Sequence, residues 1–128
     1  DLKLESHVEF LGDLPQHEIK ELLKKSKLLI HTSLFETFGL VAIEANSMGV
    51  PVLTSNNGPL KEIIENNING YYSENLIDGK VNMFVKNLVN DDLIYKKIMN
   101  SCIQKSKNYS WENTSNELIN LYQEAKLS

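Results

Sequence analysis

The chain has 128 residues, enough for one domain with its own apolar core. Hydrophobic residues make up 41% and charged residues 23%, the balance of an ordinary globular protein. A formal net charge of −4, with no basic face carrying interleaved aromatics, excludes a general attraction for nucleic acid or an anionic membrane surface.

In chain order, His7–Leu11 alternates, with Val8 and Phe10 on one side, and ends at Gly12; it reads as a strand. Pro15 stands where the first turn of a helix tolerates a missing N–H. Ile19, Leu22 and Leu23 form that helix's apolar stripe, with Glu18, Lys20, Glu21, Lys24 and Lys25 outside it. Lys27–His31 contains a short apolar strand, Leu28–Leu29–Ile30, suited to the interior of a parallel sheet. A second helix follows the polar loop after His31 and closes at Gly49. Pro51–Thr54 reads as a third strand, Asn56–Asn57–Gly58–Pro59 as a turn, and Leu60, Ile63 and Ile64 as one more helix. Gly70–Tyr72 suffices for a last strand.

That order, β-α-β-α-β-α-β, predicts an α/β fold: a Rossmann-like parallel sheet flanked by helices. A helical tail follows. Ile77, Val81, Phe84, Val85 and Leu88 keep a 3.6 period, and Leu93, Ile94, Ile98 and Cys102 mark a second helix. A third begins at Ser110, a suitable N-cap, and carries Trp111, Leu118, Ile119, Tyr122 and Ala125, with Trp111 and Tyr122 expected in the core. Asp91–Asp92 is expected to cap a helix, and Cys102, the single cysteine, to be a buried structural thiol. One cysteine excludes an internal disulfide and suits a reducing cytosol. No apolar run is long enough to span a bilayer. The opening Asp1–Leu2–Lys3–Leu4 lacks a start methionine, so the chain is expected to be a piece of a longer protein.

The informative stretch is His31 to Ala45. Glu36 and Glu44 stand eight positions apart across a loop-to-helix junction, and Glu44 is the only charge between Phe38 and Val50. A lone carboxylate in an apolar helix is costly to bury, so it is expected to pair with something or to face a wet cleft. Open sheets of this kind bind ligands beyond the carboxyl ends of their strands. The loop after Gly12, the central loop and the Ser55–Pro59 turn converge there. A helix opening at Phe38–Gly39–Leu40 offers free amides and the positive end of its dipole to an anion, and Gly39 leaves the backbone uncovered. Glu44 lies about 8 Å further along the axis. Carboxylates beside a phosphate make sense as grips on neutral hydroxyls, each such bond being worth roughly 1.5–3 kcal/mol. A diphosphate with a hydroxylated ring on each side is a nucleotide sugar.

Glu36–Thr37–Phe38–Gly39–Leu40 through Glu44–Ala45, followed by Gly49–Val50–Pro51–Val52, resembles the E-x7-E signature of retaining GT-B glycosyltransferases, the "glycosyl transferases group 1". Val8–Phe10–Gly12, Gly58, Glu62, Asn69–Gly70 and Tyr109–Ser110–Trp111 extend the likeness over nearly the whole chain. Thr37 departs from a common glycine, Asn46–Ser47–Met48 from an Ala-rich run, and Pro59 from a second glycine. The resemblance implies that residues 1–128 form the donor-binding part of a GT-B C-terminal domain. It implies that Glu44 holds ribose hydroxyls, that Glu36 holds and positions the donor sugar, and that Thr37, Phe38, Gly39 and Leu40 line the sugar and diphosphate. The loop after Gly12 would border the base. The basic pair that neutralises the diphosphate and the N-terminal acceptor-binding domain would precede this chain, so the fragment alone is expected to be inactive.

The parent enzyme would transfer a sugar to an acceptor hydroxyl with retention, in polysaccharide, lipopolysaccharide or glycolipid synthesis. It would need no metal or other cofactor, and would sit in the cytoplasm or at the inner face of the membrane, any membrane contact being made by the missing half. On the residues alone two alternatives stay open: a GT-B nucleotide-sugar epimerase and a non-enzymatic α/β nucleotide-binding module. His31 is expected to be a satisfied structural histidine, and His7 and His17 surface residues without metal partners. Thr32 and Ser33 lack a nearby base for nucleophilic work.

Overall fold

The computed structural model describes residues 3–33, 35–55 and 58–127. Three parallel strands, β1 (Leu29–His31), β2 (Val52–Ser55) and β3 (Gly70–Ser73), form a sheet in the order β1-β2-β3. Helices α1 (Gln16–Lys25), α2 (Leu40–Ser47) and the single turn α3 (Leu60–Ile63) alternate with them. α4 (Gly79–Asn90), α5 (Asp92–Ser106) and α6 (Trp111–Leu127) follow. The architecture is α/β, as the alternating periods predict.

Strand register sorts the core. Leu29 pairs with Val52 and Val52 with Gly70, while Ile30 pairs with Leu53 and Leu53 with Tyr71. Successive side chains point to opposite faces of a sheet. One face therefore packs Leu29, Val52 and Tyr72 with Leu23, Ala42, Ala45, Leu60, Ile63 and Ile64. Tyr71 and Leu28 instead meet Phe84, Leu88, Ile98 and Cys102 from α4 and α5. Gly70 permits the central approach: a Cβ there would run into the carbonyl oxygen of Val52.

Two strand expectations need correction. His7–Leu11 is not a strand. Glu5–His7 forms a 3₁₀ turn and residues 8–11 have no regular structure. Phe10 is 94% exposed and Val8 and Leu11 are exposed too. Alternation says which way side chains would point, but a strand exists through a neighbour's hydrogen bonds, and among the described residues none lies beside it. The Leu28–Ile30 strand does form, shifted by one residue, but at the sheet's edge and not in its interior. α4 and α5 reach Leu28 and Tyr71 but leave Ile30 57% exposed.

The tail follows the predicted caps. Asp91 Oδ1 accepts from the amides of Leu93 and Ile94, and Ser110 Oγ from that of Asn113. Cys102 is fully enclosed, and burial pushes its thiol up to about 12. The expected burial of Trp111 and Tyr122 fails, because α6 is exposed along its described length, with Trp111 87% accessible. Its stripe has the right period and nothing among the described residues to pack on. No helix among the described residues is long and apolar enough to cross a membrane. The Asn56–Asn57 part of the predicted turn lies outside the described residues.

A buried polar knot, unforeseen from the sequence, joins α2 to the start of β3. Asn46 Nδ2 donates to the carbonyls of Val50 (3.0 Å) and Asn69 (3.1 Å), and Asn69 Nδ2 donates to Asn46 Oδ1 (2.6 Å) and the Ile63 carbonyl (2.8 Å). Asn69 Oδ1 accepts from the Glu65 amide at 2.7 Å, and the Asn69 carbonyl also takes the Cys102 thiol at 3.4 Å. Both side chains are 1% exposed, so the protein supplies what water cannot.

Candidate functional site

α2 begins from a glycine in the left-handed region: Gly39, φ +87°. No side chain caps the helix from that position. A Cβ on Gly39 would lie 2.7 Å from Leu60 Cδ2, so α3 packs directly under this turn. The loop entering α2 is tied to the sheet by Ser55 Oγ, which donates to the Ser33 carbonyl at 3.1 Å. The Gly58 backbone closes on the same loop, where a Cβ would stand 3.9 Å from the Glu36 carbonyl oxygen. Sheet, α3 and the Gly58 turn thus hold the start of α2 from three sides.

The chain's own carboxylate occupies the amides exposed there. Glu36 Oε1 accepts from Thr37 N at 3.0 Å and from Phe38 N at 3.4 Å. Glu36 Oε2 lies 3.5 Å from His31 Nε2. The amides of Gly39, Phe38 and Thr37, with His31 alongside, hold the Glu36 carboxyl below its ordinary value of 4.5, against the opposing effect of burial. A lowered carboxyl stabilises the fold above its ordinary range, and that contribution is lost as the pH falls through the lowered value. Carbon-detected titration should therefore find Glu36 ionising below 4.5, and Glu36→Gln should flatten the acid limb of the stability curve. A titration midpoint above that value would contradict the amide contacts.

Thr37, Phe38 and Leu40 are exposed around this turn, while Gly39 is buried beneath it. Glu44, one helical turn and more along α2, is exposed and pairs with no cation among the described residues. Its Oε1 accepts from Gln16 Nε2 at 3.5 Å. Gln16 opens α1, so Glu44 faces the helix that follows the Gly12 loop. Between α1 and α2 runs an open cleft of about 360 Å³, with Gln16, His17 and Lys20 on one wall and Glu44 and Ser47 on the other. Leu23 and Met48 lie among its lining residues. Gly12 itself is exposed at φ +64°, four residues before Gln16.

The structure thus joins Glu36, Thr37 and Phe38 in one cluster and Glu44 with α1 in another. Gln16 and Lys20 were not singled out from the sequence. Their i, i+4 spacing places them on one face of α1, which is the signal that could have found them. His31 departs from the satisfied histidine expected: its Nδ1 is buried without a hydrogen-bond partner among the described residues. His17 is a surface residue, its Nε2 3.9 Å from Glu18 Oε1. No three His, Cys, Asp or Glu side chains gather as a metal site among the described residues.

Comparison with known proteins gives this geometry a context. An uncharacterized glycosyltransferase of Methanocaldococcus jannaschii is 32% identical over 116 residues, covering 90% of this chain and 30% of that protein. A D-inositol 3-phosphate glycosyltransferase of Corynebacterium efficiens is 27% identical over 129 residues, 98% of this chain and 30% of the relative. Among solved structures, Anabaena HepE in complex with UDP and glucose superposes with a TM-score of 0.77 at 25% identity, over 95% of this chain and 33% of that one. The chain therefore spans 30% to 33% of the length of these relatives. The family described as glycosyl transferases group 1 matches residues 1–109, most of the sequence, and the chain belongs to that family.

Proposed function

We propose that residues 1–128 are the donor-binding part of the C-terminal domain of a retaining GT-B glycosyltransferase. The whole enzyme moves a sugar from a nucleotide-diphosphate donor to an acceptor hydroxyl, in polysaccharide, lipopolysaccharide or glycolipid synthesis at the cytoplasmic side. Glu44 takes the ribose hydroxyls, and the loop from Gly12 to Gln16 borders the base. Glu36 takes hydroxyls of the donor sugar, and Thr37 to Leu40 lie along sugar and diphosphate. An N-terminal domain of the same protein supplies the acceptor site. No metal or cofactor takes part, and the carboxylates act by positioning and electrostatics, not by proton transfer.

One observation carries this reading: Glu44, the one charge in an apolar helix, lines an open cleft and meets an amide, with no cation paired to it among the described residues. A carboxylate so placed has lone pairs left for two hydroxyls. The likeness to HepE, solved with UDP and glucose, supports the ligand class. The test is calorimetric titration of the full-length protein with UDP, GDP and ADP and their glucose or mannose conjugates. Glu44→Gln should weaken the nucleotide that binds by about tenfold, since the charge-assisted part of two hydroxyl bonds is lost. Unchanged affinity in that variant, or no binding of any of these compounds to the wild type, would refute the assignment.

A further inference from the structure

His31 ends β1 on the sheet face that also carries Leu29, Val52 and Tyr72. Its side chain is only 16% exposed, and that of Glu36 beside it 20%. A ring in that position whose Nδ1 finds no partner among the described residues is a poor choice for packing alone, since a leucine would fill the space without desolvating a nitrogen. What the imidazole contributes is at its other nitrogen, 3.5 Å from Glu36 Oε2. The neutral tautomer with its proton on Nε2 leaves a bare lone pair at the buried Nδ1 and directs a donor at the carboxylate. Glu36 Oε1 is already held by the amides of Thr37 and Phe38. With one oxygen on the backbone and the other 3.5 Å from His31 Nε2, rotation of the carboxylate about its last bond is restrained from both ends.

Resting on the donor-site reading above, we propose that His31 is a positioning residue for Glu36. It presets the acceptor oxygens that the hydroxyls of the donor sugar meet, and it has no part in holding the nucleotide. A contact that is long without ligand and tightens with it is the usual behaviour of such groups. Preorganisation of this kind is felt by the sugar alone, because the nucleotide's cleft lies between α1 and α2 and does not include His31.

The discriminating experiment compares paired ligands on the full-length protein: UDP-glucose with UDP, GDP-mannose with GDP, and ADP-glucose with ADP. For the pair that binds, His31→Leu should lower affinity for the sugar conjugate by about tenfold and leave the bare diphosphate within about twofold. His31→Gln, whose amide nitrogen can occupy the place of Nε2, should restore most of the loss. His31→Asn, whose amide reaches only as far as Nδ1, should behave like His31→Leu, and so keeps the comparison available if the leucine variant fails to fold. Equal loss for both members of a pair, or no loss for either, overturns the role of His31 while leaving the donor site standing. Failure of all three pairs to bind the wild type overturns the donor site and this role together.

Discussion

Asn69→Ala should destabilise the protein by about 3 kcal/mol or more, among the largest losses any single substitution in this chain can cause. The variant strands two buried groups, Asn46 Oδ1 and the Ile63 carbonyl, and takes the partner from the half-buried Glu65 amide. Each buried group left without a partner costs roughly 1–3 kcal/mol, and Asn46 and Asn69 are each only 1% exposed. Guanidinium unfolding should show a lower midpoint with an unchanged slope, the sign of altered stability and not of an altered unfolded state. Removing the knot from the other side, by Asn46→Ala, should cost a similar amount, and the double variant less than the sum, because the pair shares one bond. A loss under about 1 kcal/mol would mean that the knot is less closed than its geometry indicates.

The second large effect falls on turnover. On the proposed donor-site reading, Glu36→Ala in the full-length protein should lower sugar transfer by about a hundredfold or more, the usual consequence of removing one preset group that bears on a reacting sugar. Two losses combine. The donor sugar loses its acceptor oxygens, and the amides of Thr37 and Phe38 lose the carboxylate that holds the turn in shape. Glu36→Gln keeps the volume and one oxygen, so it should recover part of the rate. It remains impaired, because a neutral amide oxygen loses the charge-assisted part of the bonds from Thr37 N and Phe38 N. Steady-state transfer at saturating donor separates the two losses. A rate within about threefold of wild type for Glu36→Ala would exclude any role for this carboxylate near the sugar.

How much of this could be read without coordinates differs element by element. α2, β2 and β3 were visible because period and punctuation agreed: Gly49, in the left-handed region at φ +77°, stops α2 where the apolar run ends. Asp91 and Ser110 announced their helices by the chemistry of their oxygens. The segment Val8–Leu11 and the stripe of Trp111 and Tyr122 misled for one shared reason. Periodicity reports the face a segment would bury and says nothing of whether a surface exists to bury it against. Asn46 went unread because a polar residue on an apolar helix has no partner in its own neighbourhood of sequence; Asn69 is 23 positions away. At the site, Glu36 and Glu44 stood out in the sequence, but their surroundings did not. The amides that looked vacant for an anion are taken by Glu36 itself, and Gln16, Lys20 and His31 come to the carboxylates only through the fold.

The two walls of the cleft are not equally anchored. α2 is bolted through Asn46 to the start of β3 and by Ala42 and Ala45 to the core, whereas α1 hangs on Leu23 with help from Ile19. Amide protons of α1 should consequently exchange well ahead of those in α2. On the donor-site reading, guests of different girth would then be met by the looser wall, while Glu44 on the other keeps its station.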